Sequence, residues 1–393
     1  MREFWLPYGD TELPIAIENE ELCKVLLSKN LKENKEAAAQ ANILLRNHIE
    51  KLFSEKKIEK IALITPKESI QTNFINELTL LIKEELLKKG LKKENLNIVQ
   101  LPNFEEIFFK IKKEENQNFS FIEETNLGIK FFLNRIVAEA DVKILIGEAY
   151  PNFLFNFLNP FLQAIFGLTK EETIIEILKL IELNKFSYEK LIQEFKNFFL
   201  IDLDLTLVPN AKGETIEFIL GSLNEVLNKE KEFIENLRIK VENKAGLIIG
   251  SAGGGFLDLN FLRALSGLKN LSNISKEEGI IIYLAECKNG LGFYPKFKKL
   301  KKEENEENIE AAFNRLIQKV MVEILEKTKV YLISSLPNYY AREILGVKPY
   351  ETLNSALKSA KLNLKKEENI LIVPYASYAI LELKNNAGWI GFL

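Results

Sequence analysis

The sequence predicts an α/β protein of two domains, with parallel or mixed sheets enclosing an interdomain cleft. Short apolar runs alternate with longer stretches of helical periodicity, the pattern of strands joined by crossover helices. Glycine-rich turns follow directly on two of those runs, one holding Gly253, Gly254 and Gly255 and the other Gly290 and Gly292. The length of 393 residues exceeds one ordinary domain, and 47% apolar with 28% charged side chains describes a core-forming chain.

Residues 60–65 are the first clear strand, stopped by Pro66. Apolar spacing predicts a helix over 73–89, closed by Gly90. Strands follow at 96–101 and 143–147. A helix at 187–199 leads to an alternating strand at 200–208, which a turn at 209–213 returns into 215–219 as a hairpin. A second set opens with a strand at 245–251, a helix at 259–268 and a strand at 279–285. The almost wholly Lys, Glu and Asn stretch at 298–308 reads as an exposed loop. A helix at 309–327, a strand at 329–334, a helix at 350–360 and a strand at 369–374 complete the set. The natural cut gives an N-terminal domain over 1–240, a C-terminal domain over 241–375, and a tail over 376–393 that packs back on the N-terminal domain.

One histidine, His48, and two cysteines, Cys23 and Cys287, remove most of the usual catalytic machinery. A three-histidine zinc site or a two-histidine iron site cannot be assembled from one imidazole. His48 sits in an amphipathic helical pattern with no serine or aspartate within a turn, so a helix-surface histidine is the simpler reading. The cysteines fall in different predicted domains and form no C-x-x-C pair, which fits a reducing cytoplasm. A net charge of −3 gives no positive field for nucleic acid or an anionic membrane, and neither is expected as a partner. The amino terminus lacks an apolar signal core. The longest apolar stretch, 149–168, is interrupted by Asn152, Asn156, Asn159, Pro160 and Gln163. A soluble cytoplasmic protein is expected.

Some local groupings invite chemistry. Gly253, Gly254 and Gly255 lie between a strand and a helix, where glycine amides can face an anion. They match neither the dinucleotide nor the Walker A spacing, and tight turning alone would explain them. Gly290 and Gly292 again lie beyond a strand's carboxyl end, so both clusters are expected to line one cleft. Cys287 would be a nucleophile only if Lys288 lowered its pKa; an inert half-buried thiol is simpler. Asp202 and Asp204, two apart in a strand, share a face, and a solvated sheet edge is the favoured reading.

These pieces, taken in order, resemble one family, the nickel-dependent lactate racemases and their relatives. Leu6-Pro7-Tyr8-Gly9 with Leu13-Pro14-Ile15 looks like that family's opening strand. Phe132-Leu133-Asn134-Arg135, Glu139-Ala140-Asp141 and the strand ending at Gly147 resemble its "V-N-R … E-A-D … I-x-G" stretch. Residues 204–221, 250–268, 279–292 and 329–360 follow its later segments, so the likeness covers nearly the whole chain. It implies two α/β domains around a nickel pincer nucleotide, which is tethered through a lysine and ligated by a histidine. Two more histidines would act as alternating acid and base on a 2-hydroxy acid.

At each chemical position the chain departs from that pattern. Where the family reads "P-H-x-F-A-G-Y-S-G-G-R-K", residues 151–162 place Asn152 at the catalytic histidine and Leu162 at the tethering lysine. Asn103 stands near the second catalytic histidine, residues 168–184 hold no histidine for nickel, and Lys67-Glu68-Ser69-Ile70 stands for "D-x-T-R". In "D-I-N-L-Y-Q-A-x-K" the matches Asp258, Asn260 and Ala264 remain, while the tyrosine, glutamine and lysine give way to Leu262, Arg263 and Ser266. An amide does not shuttle protons near neutral pH, and a leucine forms no tether. Phe153, Phe155, Phe157, Phe161 and Phe166 crowd the former cofactor loop, so aromatic core filling is expected. The resemblance therefore implies a divergent member with no nickel pincer cofactor and no metal site. It would act by binding a small organic acid or a protein partner, through Gly253, Gly254, Gly255, Arg263, Gly290, Gly292 and Lys67. The alternative is an isomerase or other enzyme on a 2-hydroxy or sugar acid, using Glu148, Lys67, Arg263 or Cys287.

Overall fold

The computed structural model describes residues 2–17, 23–27, 33–109, 118–183, 188–210, 212–293, 308–364 and 368–384. Five successive buried residues open the strand Ile61–Pro66. A strand buries both faces only inside a sheet covered on both sides. It lies between Leu96–Leu101 and Val142–Glu148, parallel to each. Leu203–Pro209 adds in parallel, and Thr215–Gly221 closes this five-stranded sheet as the expected antiparallel return.

The second sheet has six strands, all parallel. Their order is Lys348–Tyr350, Thr328–Ile333, Ser275–Leu284, Ala245–Ser251, Ile370–Val373 and Cys23–Val25. Its last strand comes from the amino terminus. The hairpin Arg2–Tyr8 and Thr11–Ile17 also lays Leu6, Ile15 and Ile17 on this sheet, against Leu247, Ile249 and Ile282. The linear cut near 240 therefore does not follow the packing at the amino terminus. Cys23 and Cys287, expected in different domains, belong to one sheet unit, and no disulfide joins them. At the other end Ile380–Leu383 pairs with Arg238–Val241, and Tyr378 packs against Phe157. The expected loop at 298–307 and the tail beyond 384 lie outside the described residues.

Helix Thr72–Lys88 buries Ile75, Leu78, Ile82 and Leu86 at helical spacing, and Gly90 at φ +92° follows its end. With Ala37–Glu55 it covers the outer face of the first sheet. Helix Phe261–Asn273 runs past its expected end because Leu268 and Leu271 continue the apolar face. The helix expected over 187–199 is shorter, Tyr188–Phe195. Between the two sheets lies one continuous buried layer. Leu145 of the first sheet and Ile281 of the second belong to it, as do Phe161, Phe166, Phe261 and Phe313 from helices.

The expected solvated pair at Asp202 and Asp204 needs correction, because Leu203–Pro209 is an interior strand. Asp204 is 1% exposed and accepts from the Thr206 hydroxyl at 3.0 Å. Glu230, 3% exposed on helix Leu223–Asn236, also lies against Thr206 and accepts from Asn159 Nδ2 at 2.8 Å. Among the described residues no cation pairs with either carboxyl, and Glu230 Oε1 has no hydrogen-bond partner. Asp202 does stay near the surface, paired with Lys56. Burial pushes Asp204 up to about 7, and burial together with the Asp204 charge pushes Glu230 up to about 8.

Both carboxyls thus hold protons in the folded chain at pH values where the unfolded chain has released them. Their contribution to stability is complete below about pH 4 and is lost as pH rises through about 7 to 8. Asp204→Asn is expected to stabilise the protein against urea at about pH 9 by roughly 1–3 kcal/mol relative to wild type, with little change at about pH 4. An equal effect at both pH values would contradict the raised pKa of buried Asp204.

Candidate functional site

Ligands of open α/β sheets gather at the carboxyl ends of the strands. Residues that follow those ends here include Lys67, Asn103 and Asn152 in the first sheet, and Gly253, Gly254, Gly255 and Cys287 in the second.

Arg263 sits in the first turn of helix Phe261–Asn273. Its Nε donates to Glu105 Oε1 at 2.5 Å, and its guanidinium stacks 4.0 Å from the Phe256 ring centroid. Asn260 Nδ2 also reaches Glu105, at 3.4 Å. Burial works to raise the Glu105 carboxyl, but the charge and hydrogen bond of Arg263 outweigh it and hold the carboxyl below its ordinary value. Lys67 lies 3.4 Å from Glu106, and Asn103 Nδ2 donates to Glu68 at 2.6 Å. The two expected cations thus come to neighbouring places, but each faces a glutamate. Sequence reasoning missed Glu105 because its partner is 158 residues away. The only local signal was an acidic pair opening helix Phe104–Phe109.

Asn152 is buried, and its Oδ1 accepts from the amides of Leu154 at 2.8 Å and Phe155 at 3.4 Å, closing its own turn. Leu162 is fully buried in helix Pro160–Leu168, which Asn159 caps and Pro160 begins. The phenylalanines around them are core. The Phe104 ring stands edge-on to Phe108, Phe155, Phe166 and Phe313, and Phe108 stacks on Phe313 at 3.8 Å. Beside them remain a gap of about 20 Å3 bounded by Glu105, Asn152, Arg263 and Ser266, and one of about 10 Å3 beside Lys269. Each has room for about one water. Lys269 donates to the Phe153 carbonyl at 2.8 Å, and burial lowers its amine to about 8.

The two glycine clusters do not line one cleft. The carbonyls of Gly290 and Leu291 accept from the amides of Phe261 and Leu262 at 3.1 and 3.0 Å, while Asn260 Oδ1 takes the Arg263 amide. The first three amides of that helix are therefore occupied, and no anion cradle is left there. At Gly292 a Cβ would lie 2.6 Å from the Asn260 side chain, so packing accounts for that glycine. Gly253, Gly254 and Gly255 border a separate opening of about 750 Å3, together with Trp5, Lys212 and Tyr375.

The remaining candidates are engaged in structure. Cys287 is 1% exposed, burial pushes its thiol up, and Lys288 pairs with Asp10 at 2.9 Å. Glu148 accepts from the amides of Ile70 at 2.8 Å and Gln71 at 2.5 Å. Burial nonetheless raises it to about 7. His48 lies on the outer helix Ala37–Glu55 with Nδ1 2.9 Å from the Leu44 carbonyl. Among the described residues no group of three or more His, Cys, Asp or Glu is placed to hold a metal.

Removing one partner of a buried ion pair leaves an uncompensated charge, at roughly 3 kcal/mol or more. Glu105→Ala is expected to lower stability by about that amount and to make the thermal midpoint rise more steeply with added sulfate than that of the wild type, which gains only from sulfate's general stabilising effect. A variant as stable as wild type, with the same sulfate dependence, would mean that Glu105 does not hold Arg263.

Comparison with known proteins adds to this geometry. Residues 240–380 match the family model of the lactate racemase C-terminal domain. A lactate racemase from Thermoanaerobacterium thermosaccharolyticum is 23% identical over an alignment of 422 positions, spanning 95% of this chain and 98% of that protein. The solved lactate racemase apoprotein from the same organism superposes with a TM-score of 0.72 at 18% identity, covering 97% of this chain and 100% of that one. A Thermotoga maritima protein of known structure gives 0.55 at 13% identity, over 91% and 100%. At such identities the two structures speak for the fold. With the C-terminal match and the near full-length alignment beside them, residues 240–380 belong to the lactate racemase C-terminal domain family and the chain as a whole is similar to a lactate racemase in sequence and fold.

Proposed function

We propose that this lactate racemase-like chain acts by binding and not by nickel-pincer racemisation. The supporting observation is the packing at the positions where the resemblance asks for cofactor chemistry. Leu162, in place of the tethering lysine, is sealed in the core, and Asn152, in place of a catalytic histidine, spends its oxygen on its own turn. Gaps of about 20 and 10 Å3 beside them are far below the few hundred Å3 of a nucleotide-sized site. The residues present do not fit the cofactor.

An enzyme working on a 2-hydroxy or sugar acid at the same place is the second reading. Glu148, titrating near neutrality, favours it. Against it, both Glu148 oxygens already accept backbone amides, the Cys287 thiol is buried, and Lys67 and Arg263 face glutamates. A small acid bound at Arg263 would have to displace Glu105.

Purified protein is expected to carry no stoichiometric nickel and to leave D-lactate unracemised, also after incubation with nickel. Elemental analysis and chiral chromatography of lactate check this, and nickel at one equivalent or measurable turnover would overturn it.

A further inference from the structure

Five segments distant in sequence meet around the opening of about 750 Å3: the amino-terminal hairpin, Ile70 beyond the strand Ile61–Pro66, Asn210 with Lys212 and Gly213, the glycine run after Ala245–Ser251, and Tyr375 with Tyr378. That volume is typical of small-molecule sites. The known constraints of the fold explain part of its lining. Gly254 is glycine because a Cβ would lie 2.8 Å from the Gly9 carbonyl oxygen. Gly255 holds a left-handed φ of +53° that favours glycine, its amide donates to the Gly9 carbonyl at 2.7 Å, and the space where its Cβ would be is open. Trp5 is 54% exposed on the rim, although Leu6 beside it is fully buried, and Tyr375 adds a second half-buried ring.

The charges of the lining decide the ligand class. Lys212 and Glu12 have opposite sign, and neither has an ion-pair partner among the described residues; Asp10 is paired with Lys288. A small anion would be drawn by Lys212 and repelled by Glu12, and a small cation would meet the reverse. A ligand with several hydroxyls can use both, since each hydroxyl donates and accepts. Its C–H faces would also suit the apolar rings of Trp5 and Tyr375. We infer that this opening binds an uncharged, polyhydroxylated ligand of the sugar class. The inference builds on the reading that the chain works by binding, yet the two fail separately. Lactate turnover would overturn that reading alone, and absence of sugar binding this one alone.

Saturation-transfer NMR on the full chain tests it, with cellobiose and maltose as neutral probes, D-lactate as the anion and choline as the cation. At least one disaccharide is expected to receive saturation. Trp5→Ala should weaken its binding roughly tenfold while leaving the thermal midpoint unchanged, because the ring is exposed. Lys212→Ala and Glu12→Ala should each weaken the same sugar. Four results would overturn the assignment: no transfer to either disaccharide; sugar binding untouched by Trp5→Ala; transfer to lactate lost in Lys212→Ala; or transfer to choline lost in Glu12→Ala.

Discussion

The buried phenylalanine layer between the two sheets is the constraint on which the rest of the structure depends. Phe104 and Phe108 from one helix, Phe155 and Phe166 from the segment after Val142–Glu148, and Phe313 from Ile309–Lys327 interlock, edge to face around Phe104 and stacked between Phe108 and Phe313. Burying one such ring is worth about 1.5–3 kcal/mol, and a favourable ring pair adds about 1. Exposing five of them to open a ligand space would cost on the order of 10 kcal/mol. That is comparable to the whole stability of an ordinary domain. No small ligand with an ordinary affinity repays it, so the sheets are held at a fixed separation and binding must occur at the periphery of this layer.

The polar residues nearest the layer follow from it. Once water is excluded, a charge must find a partner or change its protonation. Arg263 meets Glu105 and the Phe256 face, so both charges persist. Lys269 donates to a backbone carbonyl, and burial outweighs the charge of Glu323, so its amine is lowered. Asp204 and Glu230 meet each other with no cation, and both are raised. The same rule gives three different outcomes because three different partners lie within reach.

What could be read from the sequence divides along the range of the interactions involved. Strands such as 61–66 and helices such as 72–88 announce themselves because burial repeats every residue or every three to four residues along one segment. The crowded phenylalanines at 153–166 declared a filled core for the same reason. Pairing across the chain left no such trace. Nothing near Cys23 reveals that it extends a sheet through Ile370, and Arg263 reads as an open cation until Glu105 arrives from 158 residues away. Asp204 reads as a surface carboxylate because alternation tells which face a residue occupies, and not whether another element covers that face.

The glycine signature shows how a motif can outlast the chemistry it suggests. Asp258 Oδ2 accepts from the amides of Gly9 and Glu286, so it ties the amino-terminal hairpin to the second sheet. Asn260 caps the helix that carries Arg263, and Gly254 lets the hairpin turn come within contact. Each of these positions is dictated by a backbone amide, a helix end or a close approach, none of which involves a ligand. The positions that differ from the family pattern, Leu262, Arg263 and Ser266, are buried or half-buried side chains on that same helix, where no helix end or close backbone approach fixes the residue type. A sequence can therefore carry most of a family's recognisable glycine, aspartate and asparagine pattern while specifying only its architecture. Gly255 fits the same account: no atom crowds its Cβ position, but its φ of +53° favours glycine, so backbone conformation and not a ligand explains it.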